Sequence, residues 1–279
     1  MKTIKKFICI IMVSIMIFTS FSISSFAVNP TQEEMRNYLS EIGTPDPVVA
    51  SYDDATVEMI YSRLYGKNVA FSNIETKSYS VPNSSPVSTY GTIDSDDFYI
   101  TMMYYNELDT SIPGMHKVTA LTVFMVYNWS NVPLIKKYDP VAINWDSSLF
   151  AYKANSFTVE FNHTIGSLHQ QYGSSSVLSI LDQGGLGFEV DLFSSVYPNL
   201  TSLSGRATFT LLPKQTIYSY GSTGNSSVTT INTNYTHNND TNNFFGFRFS
   251  VSVAGIIGIE YEGEADIMAT GMNYFYDLP

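Results

Sequence analysis

The residues best placed to do chemistry are four carboxylates near the carboxyl terminus. Glu260, Glu262, Glu264 and Asp266 alternate with Tyr261, Gly263 and Ala265. On a strand of period two all four would share one face, with neighbours roughly 7 Å apart. Such crowding raises carboxylate pKa values unless water, a cation or a basic group relieves it. Two chemistries fit the spacing. One is a set of hard oxygen ligands for calcium; the other is an acid and a base for inverting glycoside hydrolysis, whose carboxyls stand roughly 6.5–9.5 Å apart. Catalytic pairs, however, straddle a cleft from separate strands, and four in a row is the pattern of a solvated face that keeps an edge from pairing. Edge protection is therefore the expectation for this face, with calcium as the one cofactor to test.

Asp94-Ser95-Asp96-Asp97 gathers oxygen ligands too. It fails as a calcium loop, because Tyr99 stands where the tight-turn glycine belongs and Tyr105 where the bidentate glutamate belongs; a solvated turn is expected. His116, His163, His169 and His237 include no His-Glu-x-x-His and no i,i+4 pair, which argues against zinc. His163 continues the inward phase of Phe157, Val159 and Phe161 and reads as a structural histidine, while His237 reads as a cap beside an Asn-rich turn. No Gly-x-Ser-x-Gly elbow occurs, and the one cysteine, Cys9, allows neither an intramolecular disulfide nor a thiolate zinc site. No catalytic residue is assigned.

Tyrosine and tryptophan beside amides are what a saccharide- or protein-binding face uses, because an aromatic plane stacks while amides and hydroxyls orient the ligand. Tyr104, Tyr105 and Asn106 form one such group, and Tyr127, Asn128 and Trp129 another. Trp129 and Trp145 have the competing role of core anchors.

These residues must be held by elements that the sequence also marks. Lys2, Lys5 and Lys6 precede the apolar run from Phe7 to Phe18, and Ser25-Phe26-Ala27 is a small-x-small cleavage site. This is an export signal, predicting a secreted chain cut after Ala27 that loses its only cysteine. The full chain has 14 Lys+Arg against 25 Asp+Glu, a net charge of −11, and removing three lysines makes it more acidic still. No footprint for a nucleic acid backbone exists, and anionic surfaces are poor unaided partners. With 44% hydrophobic and 14% charged residues in 279, the chain is too apolar for disorder, and its Ser, Asn and Gly interruptions rule out a multi-span membrane protein.

Residues 28–66 read as short helices. Thr31 and Glu34 can cap each other, Met35, Tyr38, Leu39 and Ile42 follow at helical spacing, and Gly43 stops the run. Thr44-Pro45 restarts it, and Asp53-Asp54 precedes Val57, Ile60, Tyr61 and Leu64. Such pieces cannot bury a core alone and must pack on the remainder of the chain. From residue 67 to 279 the period changes to two. Residues 98–105 and 118–127 are apolar on both faces, as in strands covered from two sides. Residues 141–145, 157–161, 188–192 and 207–211 alternate as half-buried strands, 228–237 reads as an edge or exposed strand, and 245–267 keeps one apolar face with a bend or turn at Gly255 and Gly258. The whole predicts a mainly β protein, about ten strands in an antiparallel β-sandwich-like body preceded by a small helical N-terminal segment. The domain organisation is therefore 1–27 signal peptide, 28–66 helical segment and 67–279 β-rich domain, with 81–86 as the best linker candidate.

Several phrases together carry a resemblance: Ile42-Gly43-Thr44-Pro45-Asp46-Pro47-Val48-Val49, Tyr127-Asn128-Trp129 with Pro133 and Asp139, Leu203-Ser204-Gly205-Arg206-Ala207-Thr208-Phe209, and Tyr235-Thr236-His237 before the strand 249–253. The chain resembles a family of uncharacterised secreted proteins of Gram-positive bacteria. The resemblance implies the compartment and the order of helical start and β-rich body, and no activity or site. The function expected is a secreted, non-enzymatic binding or surface-interaction protein, its partner a cell-surface glycan or protein. One alternative is a membrane-active β-pore-forming protein, suggested by the Ser/Thr/Asn alternation in 228–236; an extracellular hydrolase is the weaker one.

Overall fold

The computed structural model describes residues 29–78, 98–129, 138–165, 168–192, 200–238, 246–253, 255–262 and 265–279. The export signal, the linker candidate 81–86, Pro133 and the acidic turn 94–97 lie outside them.

Helix α1 (Gln32–Glu41) opens with the expected reciprocal cap. The Glu34 N–H donates to Thr31 Oγ1 at 3.2 Å, and the Thr31 N–H donates to Glu34 Oε2 at 2.7 Å. Gly43, at φ +94°, reverses the chain into α2 (Asp46–Ser51), and Asp53 caps α3 (Asp54–Leu64). The apolar stripes carry the fully buried Leu39, Val57, Ile60 and Leu64. Each contributes about 1.5–3 kcal/mol by burial, which is how helices too short to stand alone are held.

What they are held against is a sheet. The strands are β1 (Val69–Ser78), β2 (Phe98–Ile112), β3 (Met115–Trp129), β4 (Tyr138–Asn144), β5 (Phe150–Tyr152), β6 (Thr158–Ile165), β7 (Leu168–Ser175), β8 (Ile180–Asp182), β9 (Gly185–Asp191), β10 (Ser202–Pro213), β11 (Tyr218–Ser219), β12 (Ser226–Asn238), β13 (Gly246–Val251), β14 (Ile257–Glu262) and β15 (Ala265–Asp277). Thirteen of them form one antiparallel sheet that curls over itself. One layer runs β7-β6-β10-β3-β2-β1 and the other β8-β9-β4-β12-β15, with the short β11 bonded to both β3 and β15 at the corner. Rings from the two layers meet between them, as Phe98 meets Tyr235 at 4.6 Å and Phe157 meets Phe188 at 5.0 Å.

The mainly β, sandwich-like architecture with a small helical start is thus present, with more strands than expected, of which β2, β3, β10 and β12 run longer than the runs read from sequence. The prediction for β2 and β3 holds in detail. Ile100, Met102, Tyr104, Val123 and Met125 enter the core between the layers, whereas Met103, Tyr105 and Phe124 face the other way and pack under the helices. The polar stretch 228–237 is not an edge. It lies in β12, paired with β15 along its length and with β4 at 232–235, with Ile231, Thr233 and Tyr235 buried inward.

The run 245–267 turns at Gly255, φ +75°, as expected, and pairs back as the hairpin β13–β14; Gly258 lies inside β14 rather than at a bend, and β15 then starts in a different sheet. Asn144 of β4 fastens this hairpin. Its Nδ2 donates to the Ile257 carbonyl at 3.0 Å, and its Oδ1 accepts from the Ile257 N–H at 2.7 Å. No helix among the described residues is long and apolar enough to cross a membrane.

Candidate functional site between the helices and the sheet

Strand β10 alternates Leu203, Ala207, Phe209 and Leu211, which face the core, with Ser204, Arg206 and Thr208 on the opposite face. That outer face is roofed by the helices, so Arg206 is only 2% exposed. A guanidinium taken out of water needs partners. Its Nε donates to Thr56 Oγ1 at 2.8 Å, and Nη2 pairs with Asp53 Oδ2. Nη1 is buried and has no acceptor among the described residues.

Asp53 is held from two directions, since its other oxygen accepts the Thr56 N–H at 2.8 Å as the cap of α3. Partial burial raises the Asp53 pKa, but the Arg206 charge and the hydrogen bonds from Thr56 and Arg206 outweigh it and hold the carboxyl below its ordinary value. Arg36 of α1 closes the neighbouring wall, donating to the Val49 and Tyr52 carbonyls at 2.7 and 2.9 Å and to Asp54 at 2.8 Å.

Between these walls lies a groove of about 770 Å³, lined by Arg36, Tyr52, Asp53, Asp54, Ala55, Glu58, Met59 and Ser62 from the helical side and Glu160, Asn162, Ser204 and Arg206 from the sheet. It shares Met59, Ser62 and Glu160 with a second cavity of about 500 Å³ that runs on along α3 to Thr158, Thr208 and Ser174 to Ser176. The register puts Ser204 opposite Asn162 and Arg206 opposite Glu160. Asn162 is 8% exposed, and its Nδ2 is a second buried donor with no acceptor among the described residues. The groove therefore offers donors at its floor and carboxylates at its rim.

The six aromatic and amide residues singled out from sequence fall elsewhere. Tyr104, Asn106, Tyr127 and Trp129 point into the core between the layers. Asn106 accepts from the Tyr274 hydroxyl at 2.9 Å and donates to Ser219 at 3.2 Å. Tyr105 is buried under the helices, its hydroxyl 3.0 Å from Thr44 Oγ1, and burial pushes its pKa up to about 12. None of these five presents a ring or amide to solvent, because each strand face is covered by another layer. Asn128 is half-buried on the outer face of β3, in register with Ser204, but does not line the groove.

The acidic run is divided. Glu260 lies in β14, exposed and paired with Arg248 across the hairpin. Glu262 ends that strand, and Asp266 belongs to β15, opposite His237. Glu264 and the side chains of Glu262 and Asp266 lie outside the described residues. The single-strand face is thus interrupted between Glu262 and Ala265, since the chain there passes from one sheet to another. Among the described residues no group of three His, Cys, Asp or Glu side chains is placed to hold a metal ion.

Sequence reasoning also missed a buried polar chain. His237 is not a cap but faces inward, in the phase of Ile231, Thr233 and Tyr235, with Nδ1 at 3.0 Å from Asp139 Oδ2. The Tyr235 hydroxyl donates to the same oxygen at 2.6 Å and accepts from Trp129 Nε1 at 3.0 Å. Burial, then the Asp139 charge, drive the Tyr235 pKa well above its ordinary value. An aspartate orienting an imidazole is half of a proton relay, but among the described residues no hydrogen bond joins the ring to a Ser, Thr or Cys. Its evident effect is to tie β3, β4 and β12 together.

No family model matches the chain, and no curated protein matches it. Among solved structures, one similar chain is AvmM, described as catalysing macrocyclization in alchivemycin A biosynthesis (9% identity over 55% of this chain and 79% of that one, TM-score 0.23). Another is the collagen adhesin of S. aureus (8% identity, 74% and 82% covered, TM-score 0.28). A third is the KRT10-binding region domain of the pneumococcal serine-rich repeat protein PsrP (13% identity, 59% and 87% covered, TM-score 0.24). The likeness to each is partial.

Proposed function

We propose that this chain is an exported, non-enzymatic binding protein whose ligand seats in the groove between the helices and strands β6 and β10. The observation that carries the proposal is Arg206, a buried cation at the groove floor with one nitrogen lacking an acceptor among the described residues. A buried donor left unmet is costly, and a ligand oxygen would meet it. The amino-terminal signal pattern and the resemblance to secreted Gram-positive proteins support the compartment. The absence of any nucleophile motif from the sequence supports binding over turnover.

The test uses the chain from Val28 onward on a Gram-positive cell-wall preparation. Ala55 lines the groove from α3 and is half-buried, so Ala55→Trp would plug the groove from its rim. The expected outcome is retention of the unaltered protein and its loss in Ala55→Trp, with an unchanged circular dichroism spectrum. Equal retention of the two proteins would overturn the assignment of the groove.

A further inference from the structure

We infer that the groove takes a saccharide chain free of anionic groups, held through its hydroxyls. This rests on the binding proposal above and narrows it to a ligand class. Three properties of the groove select that chemistry.

The first is its pattern of donors and acceptors. Arg206 Nη1 and Asn162 Nδ2, on adjacent strands two residues apart in register, are buried donors without acceptors among the described residues. Glu58 and Glu160, by contrast, are acceptors that line the same space. A hydroxyl group serves both kinds of neighbour, because it accepts from the guanidinium or amide and donates to a carboxylate.

The second is charge. Arg206 is paired with Asp53 and Arg36 with Asp54, and Arg63, which lines the second cavity, donates to the Ser156 carbonyl and Thr158 Oγ1, while no basic side chain among the described residues pairs with Glu58 or Glu160. The groove keeps a negative surplus, and a phosphate or uronate would enter against it. A cationic peptide would suit the two glutamates, but its charge would sit beside the Arg206 guanidinium, and a cationic side-chain head carries no acceptor for the two waiting donors.

The third is length. The groove adjoins the second cavity along Met59, Ser62 and Glu160, and there the buried Thr208 Oγ1 is again without a partner among the described residues. Met59, buried between the two cavities, gives the shared stretch an apolar surface against which a sugar ring's carbon face can lie. An extended polymer with a hydroxyl at every unit matches such a path better than a compact small molecule.

Calorimetric titration of the chain from Val28 onward tests this with dextran, mannan, a β-1,3-glucan and chitin oligomers as uncharged probes. Polygalacturonate serves as the anionic probe and oligolysine as the cationic one. The expected result is binding of at least one uncharged glycan, with an affinity that changes less than about twofold between roughly 50 and 500 mM salt, since no ligand charge is screened. Asn162→Leu, close in volume but without the donor, should weaken that affinity by about tenfold or more, while Glu160→Gln should relax the exclusion of polygalacturonate. Arg206 is avoided because it fastens the helices, and melting curves of both variants check that they fold.

Binding of oligolysine or polygalacturonate in preference to every neutral glycan would overturn the inference, and so would silence from all four neutral probes. If Ala55→Trp abolishes cell-wall retention while no neutral glycan binds, the groove stands and the saccharide falls. If Ala55→Trp is retained normally, the groove itself falls.

Discussion

The Asp53 carboxylate joins two structures at once: Oδ1 caps α3 through the Thr56 N–H, and Oδ2 pairs with Arg206 in the sheet beneath. The helices are thereby fastened to β10 at the point where the groove begins. Holding them down and shaping the candidate site are one and the same contact.

Acid should loosen this fastening. Both Asp53 and Asp277 have carboxyls held below their ordinary value in the folded chain. In each, burial raises the pKa but is outweighed, for Asp53 by Arg206 and Thr56, and for Asp277 by donors such as the Thr223 N–H and the Ser226 hydroxyl. A depressed folded pKa contributes stability that is complete above the unfolded value, about 3.9, and is lost as pH falls through the folded one. Urea midpoints should therefore be flat from about pH 7 to about 5 and fall below about pH 4. Asp53→Asn, which keeps the cap but not the charge, should cost about 1–2 kcal/mol at neutral pH, reduced by the solvent that reaches the carboxylate, and flatten part of the acid limb.

Trp129→Ala should cost about 3–5 kcal/mol. The ring is 1% exposed and packs 4.5 Å from Phe98 and 4.9 Å from His237. A chemical denaturation curve reads this directly, and a change below about 1 kcal/mol would mean that the indole is not a core anchor.

How far the sequence reached is clearest from β2, β3 and β10. The two-faced apolar runs announced strands covered from both sides, since a half-exposed strand would leave one of those faces in water. The same fact should have warned against placing Tyr104, Tyr105 and Trp129 at the surface. Alternation says which side chains share a face but not what lies over it. Arg206 left a faint signal, a cation in the polar phase of an otherwise apolar strand, but its partner is 153 residues away in the chain, and no local pattern reveals that. The carboxylates at 260–266 kept their period of two, yet the chain changes sheets between Glu262 and Ala265, and a period cannot report a change of partner. His237 could have been found by extending the phase of Ile231 and Tyr235.

Tyr235→Phe should destabilise the sandwich by about 1–3 kcal/mol, because it takes a donor from buried Asp139 and an acceptor from Trp129. Equilibrium unfolding should show the loss without any change in secondary structure, and an unchanged midpoint would mean that the polar chain ties nothing.

Asn144→Leu should free the hairpin alone. Amide hydrogen exchange in 246–253 and 255–262 should speed up by about tenfold as the bonds to Ile257 are lost. Faster exchange across β2 and β3 as well would show that the hairpin supports the whole body.

Cys9 is the only cysteine, so no covalent loop can form within one chain. The melting temperature should be the same with and without dithiothreitol, and a clear drop on reduction would reveal a cross-link between chains.

The distance in sequence between Asp53 and Arg206 also sets an order in time. The helices are made early, yet the cation they close on arrives only with β10, most of a chain later. Contacts so far apart form slowly. A chain emerging amino end first, from a ribosome or through a translocation pore, stays loose and easily threaded until that strand is out. The first part made is then locked only once more than half of the chain has followed it.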